Sequence, residues 1–157
     1  LSGQIGNGIR FIAVLAWAIG ALPMMFRWRT GGTRPWVLQV GVGLIGAGFL
    51  SRVIWPHETF AFEHFLFLGG FSLLILLVAD RVVDRHNGNP QAVAPISKRW
   101  RWFTWLMILT VATRATADLV PSTRISHHIY AAVMLILVLV LWIWRMIRAT
   151  GKAAEDT

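Results

Sequence analysis

Four histidines carry most of the chemistry that this sequence could do. His57 lies in a short polar link, His64 follows at the start of an apolar run, and His127 and His128 open another such run. Glu58 and Glu63 stand beside the first two, and Arg52, Asp118 and Arg124 fall at similar depth. Neutral imidazole nitrogens bind haem iron, copper and zinc near pH 7. Two histidines facing each other from different helices could clamp a haem b, and several convergent ones could hold copper. An imidazole at a membrane face is also an ordinary polar end group, yet chance would scatter five histidines over both faces. His64, His127 and His128 are therefore candidate ligands.

Two further pairs of ionisable residues interrupt apolar runs. Arg114 and Asp118 are four apart, so on a helix they share a face and can pair. Charges inside a span are costly and face the bundle interior or water. Arg114 and Arg52 are accordingly candidates to neutralise a haem propionate or another anion, with Asp118 as a structural partner. Asp80 and Arg81 are adjacent and point in different directions. Asp80 reads as structural, with Arg81 snorkelling to a membrane face. Familiar catalytic templates are missing: no nucleophile elbow, phosphate loop, paired-cysteine site or His-Glu-x-x-His helix occurs. The reading favours a binding protein over an enzyme.

The elements that position these residues follow from composition. Hydrophobic residues make up 56% of the chain and charged ones only 14%, against roughly a quarter charged in a soluble domain. With a mean hydropathy of +0.61, a soluble fold would leave large apolar patches in water, so lipid must be the solvent. The nine Trp sit mostly at segment ends (Trp28, Trp36, Trp55, Trp100, Trp102, Trp142 and Trp144), where amphipathic rings prefer headgroup level. Five apolar runs, about 9–26, 36–55, 64–83, 100–120 and 128–147, suit the roughly 20 helical residues that cross a hydrocarbon core. Unpaired backbone groups are not tolerated in lipid, so each run is a helix. The expectation is an all-α polytopic membrane protein, one domain over 1–150 with a disordered tail at 151–157.

The net charge of +8 does not point to nucleic acid, because the basic residues form short clusters between apolar runs. Arg27, Arg29 and Arg34 follow the first run, Arg85, Lys98, Arg99 and Arg101 the third, and Arg145, Arg148 and Lys152 the fifth. All fall on one side of an alternating topology, which is then cytoplasmic, with the amino terminus outside. There is no Cys, hence neither a disulfide nor a thiolate site. The chain starts at Leu1 and reads as a processed product or a piece of something longer. Gly43 and its neighbours in the second run, and Gly69 and Gly70 in the third, would let helix backbones approach closely or admit a flat cofactor.

From His64-Phe-Leu-Phe-Leu-Gly-Gly through Asp80-Arg-Val-Val-Asp-Arg-His-Asn-Gly88, the chain resembles the carboxy-terminal signature of the NnrS family. These are haem- and copper-containing bacterial membrane proteins of the nitric oxide response. His64, Gly69, Arg81, Val82, His86 and Gly88 fall at matching positions. The stretch from Ala112 to Pro121, with Arg114, is similar to the family's next helix. Asp80, Asp84-Arg85 and Asn87 depart from the pattern. The family is about twelve helices long, so the resemblance covers its final five. It implies haem b or copper as cofactor, a bacterial inner-membrane location, and His86 as a further family position beside His64. At 1.5 Å per residue those two lie about 33 Å apart along one helix, so they cannot share one metal.

Two readings follow. One is an NnrS-like membrane protein that binds haem or copper near the outer face, linked to nitric oxide or metal handling. The other is a structural accessory subunit of a larger respiratory or photosynthetic complex, which needs helices, Trp anchors and other membrane subunits but no cofactor.

Overall fold

The computed structural model describes residues 2–21, 33–86 and 98–155, and among these no strand occurs. Five helices account for them: α1 (Ser2–Ala21), α2 (Thr33–Ile54), α3, α4 (Lys98–Leu119) and α5 (Arg124–Glu155). Helix α3 is one rod in three segments, α-helical over Thr59–His64, π-helical over Phe65–Phe71 and α-helical again over Ser72–His86. The stretches Trp36–Ile54, Phe60–Asp84 and Pro121–Arg148 are long and apolar enough to cross a membrane. Helices α1 and α4 reach spanning length with 20 and 22 residues but carry more polar groups.

Breakers set the visible links. Pro56 follows the end of α2, and the chain turns through Trp55–Glu58, with Glu58 N–H donating to Trp55 O at 3.2 Å. Pro121 stops α4 and starts a single 3-10 turn, because it has no N–H for the helical ladder. Where breakers are absent the helices outrun the apolar stretches. Helix α1 starts at Ser2 rather than about residue 9, α3 at Thr59 rather than 64, and α5 at Arg124 rather than 128. Residues 151–155, expected as disordered tail, continue α5; Lys152, Ala153, Ala154 and Glu155 are all good helix formers. The expected end of the first helix near residue 26, the first basic link with Trp28, and residues 87–97 lie outside the described residues.

The core lies between α2, α3, α4 and α5. Val37, Met107 and Val138 are fully buried there, with Leu73, Leu76, Trp100 and Phe103 around them. Thr104 and Thr110, also buried, turn their hydroxyls back to Trp100 O (2.9 Å) and Leu106 O (2.8 Å), so each satisfies itself on its own helix. Glycine lets α2 and α3 close up. A Cβ on Gly70 would meet Gly41 O at 2.8 Å, and one on Gly69 would meet Leu44 and Val111 at 3.0 and 3.1 Å. Gly43 does not take part: a Cβ there meets nothing within 4 Å, and it lines an apolar groove between α1 and α2 instead. The outer face of α5 is the opposite extreme. Its apolar stretch is only 11% buried, with Ile129, Val133, Ile136 and Val140 all exposed, a surface that suits lipid and not water.

One ion-pair cluster staples the far end of the bundle. Asp80, fully buried, accepts from Trp100 Nε1 at 3.0 Å and pairs with Arg145 of α5. Asp84, one turn further on, lies 3.3 Å from the same guanidinium. The ion-pair partner of Asp80 is thus on α5. Trp100, expected at headgroup level, points inward to serve that carboxylate.

Candidate polar site at the link end of the bundle

The two short links Trp55–Glu58 and Val120–Thr123 put the start of α3, the end of α4 and the start of α5 at one end of the bundle. His64 closes the first α segment of α3. Its Nδ1 lies 2.8 Å from Phe60 O, one turn back. A carbonyl can only accept, so Nδ1 carries the proton and Nε2 keeps its lone pair. This is the backbone orientation that metal-ligating histidines adopt. The π turn begins at the next residue, with Ser72 Oγ donating to Phe67 O at 2.9 Å where the wider turn closes. Such single π turns recur at functional sites.

Across from it, α4 offers Arg114 and Asp118. The pair expected from their spacing is made, Arg114 Nη1 donating to Asp118 Oδ2 at 2.8 Å. The same nitrogen lies 2.8 Å from His128 Nε2 on α5. A guanidinium cannot accept, so His128 receives this bond on Nε2 and holds its proton on Nδ1. Asp118 Oδ1 sits 3.4 Å from the same ring nitrogen. The first segment of α3, which carries His64, packs against α4. His64, Arg114, Asp118 and His128, from three helices, therefore share one neighbourhood.

His127 lies elsewhere. Its Nδ1 is 3.2 Å from Thr116 Oγ1 and 3.1 Å from Thr123 Oγ1. Both hydroxyls already donate to carbonyls three residues back, Thr113 O and Val120 O, so the ring N–H donates to them. Thr116 is two residues from both Arg114 and Asp118, about 200° around α4. His127 therefore meets the flank of α4 opposite the Arg114 pair, and the structure does not bring all three link-end histidines to one point. His57 is exposed in the turn before α3. His86 ends α3 at the far end of the bundle, and its side chain lies outside the described residues.

Arg52, at the end of α2, is ion-paired with Glu63, the neighbour of His64. Its Nε is buried without an acceptor among the described residues. Glu63 and His64 line an open groove of about 370 Å³ whose walls include Phe60 and Phe67. Sequence reasoning placed Arg114, Asp118 and the histidines at this end but missed the Thr116 and Thr123 partners. The spacing of four between Thr123 and His127 was the available signal. The Asp80–Asp84 spacing, also four, marks in the same way the face that meets Arg145.

Among the described residues no group of three or more His, Cys, Asp or Glu side chains is arranged to hold a metal ion. A copper site built from convergent histidines does not fit, since His128 has spent its Nε2 lone pair on Arg114 and His127 faces another flank. A haem needs less from the chain: one imidazole with a free Nε2, apolar walls and cations for its propionates. His64, Phe60 and Phe67 offer the imidazole and the apolar walls, and Arg52 is ion-paired with Glu63, which also lines the groove.

Among the described residues, three long apolar stretches of spanning length, with the ion pairs gathered toward the two ends of the bundle, define a helical membrane protein. Within that class the chain belongs to the NnrS family, whose model, the NnrS protein, matches residues 3–152. The match takes in α1, α2 and α5 as well as α3 and α4, whose motifs resemble the family. No curated protein and no solved structure matches the chain.

Proposed function

We propose that this NnrS-family protein binds a haem b at the link end of the bundle, with His64 as its axial ligand, and serves in the response to nitric oxide. The observation that carries the reading is the His64 ring, whose Nδ1–H is held by Phe60 O so that Nε2 is free beside the Phe60–Phe67 groove. Phe60 and Phe67 would supply apolar contact for a flat macrocycle, and Arg52, ion-paired with the groove residue Glu63, would offer a cation to a propionate. Arg114 supplies a second cation, held in place by Asp118. His64 is the residue that would hold the haem, whose iron would supply the chemistry for binding a diatomic molecule such as nitric oxide. His128, bonded through Nε2 to Arg114, acts as a positioning group and not as a second ligand. Copper ranks below haem for want of a convergent donor set.

The test is an absorption spectrum with metal analysis of the full chain purified from haem-replete cells. The reading expects a Soret band and about one iron per chain, without stoichiometric copper. A chain that is fully helical, contains no haem and takes up none when haem is added would favour the accessory-subunit reading instead.

A further inference from the structure

At the end of the bundle opposite His64, α4 and α5 line a groove of about 180 Å³. Arg99, Trp102 and Leu106 lie on its α4 wall, and Leu141, Trp144 and Arg145 on its α5 wall. On α4 these residues recur at steps of three and four, and on α5 Trp144 and Arg145 lie three and four residues past Leu141, so each wall is one face running from apolar to aromatic and basic toward the rim. Arg148, the next step on α5, lies with its guanidinium 3.8 Å from the centre of the Trp144 ring. That contact braces the cation at the rim. A second hollow, of about 310 Å³, opens on the other side of Trp102 and adds Lys98 and Arg101.

The charges here are one-sided. Among the described side chains, Asp80 and Asp84 are the carboxylates that reach this end, and Arg145 and Trp100 engage them. Lys98, Arg99, Arg101 and Arg148 have no carboxylate partner among the described residues. A cleft with a cationic mouth, two indole rings at the level below and leucine beneath them matches one ligand class in order of depth. That class has an anionic headgroup, a glycerol zone and an acyl chain.

We propose that the α4–α5 groove is a binding site for an anionic phospholipid, with its phosphate between Arg99 and Arg148 and an acyl chain along Leu106 and Leu141. Basic clefts between membrane helices hold such headgroups. The site does not depend on haem binding, and it lies at the opposite end of the helices from His64.

The test uses the full chain in phosphatidylcholine vesicles and follows tryptophan fluorescence as lipid with brominated acyl chains is added. One series carries brominated phosphatidylglycerol and the other brominated phosphatidylcholine. Quenching should half-saturate at a several-fold lower fraction of the anionic lipid, since each cation near a headgroup is worth about fivefold in affinity. The R99Q/R148Q variant should lose that preference, and R99K/R148K should keep most of it. Should the glutamine variant fail to fold by circular dichroism, W102F/W144F decides instead, because it should remove the headgroup-selective part of the quenching. Equal quenching by the two lipids, or a preference that survives R99Q/R148Q or W102F/W144F, would overturn the proposal.

Discussion

At the scale of the residue, tautomers separate histidines that look equivalent in the sequence. His64, His127 and His128 all open apolar helices from the same end, and depth alone ranks them together. The partner of each ring divides them: a carbonyl for His64, hydroxyls for His127 and a guanidinium for His128. Arg114 ties Asp118 and His128 into one unit, which should behave cooperatively. Arg114→Ala and Asp118→Ala should each lower thermal stability in detergent, and the double change should cost less than their sum by about 0.5–3 kcal/mol. Strict additivity would show that the two residues stabilise the protein through other partners. The Arg114–Asp118 pair was legible because it is local, a spacing of four on one helix. The bond to His128 was not, because it depends on how α5 is rotated against α4, and adjacent histidines give no clue to that angle.

The helices themselves were the most legible feature, since lipid leaves a long apolar run no other conformation. Their ends were less so. Hydropathy reports where polar residues begin, whereas a helix ends at a breaker, which is why α5 runs on to Glu155. The glycines show the same limit. Gly43 and Gly70 look alike as small residues in apolar runs, yet only Gly70 faces a backbone carbonyl at contact distance. Gly70→Ala should therefore force α2 and α3 apart and cost about 1–3 kcal/mol as overpacking. Gly43→Ala should fall within about 0.5 kcal/mol of the parent. A thermal melt followed by helix content checks both, and equal losses would contradict the packing described. The far-end staple belongs to this scale too. Asp80→Ala leaves the Trp100 indole and part of Arg145 without their carboxylate. It should destabilise more than Asp84→Ala, because Asp80 is the fully buried member and a broken buried pair costs about 3–5 kcal/mol.

For the whole molecule, the two ends differ in kind. The link end gathers histidines, carboxylates and arginines, and the other end presents, among the described residues, cations without carboxylate partners beside tryptophans. Positive charge is retained on the cytoplasmic side, so a tag on Thr157 should be reachable only from the cytoplasm and one on Leu1 only from outside. Protease removal of the carboxy-terminal tag in intact cells would reverse the assignment and with it the outer position of the histidines. The family's cofactor was legible only through resemblance, since no spacing in the chain specifies haem. What the structure adds is a choice among histidines, and this makes the central claim testable by one comparison. The absorption spectra of purified wild type, His64→Ala and His86→Ala should be recorded side by side at equal helix content. The haem band should vanish in His64→Ala and persist in His86→Ala, whose imidazole is carried at the other end of α3. A band unchanged by His64→Ala, or lost only in His86→Ala, would contradict the account.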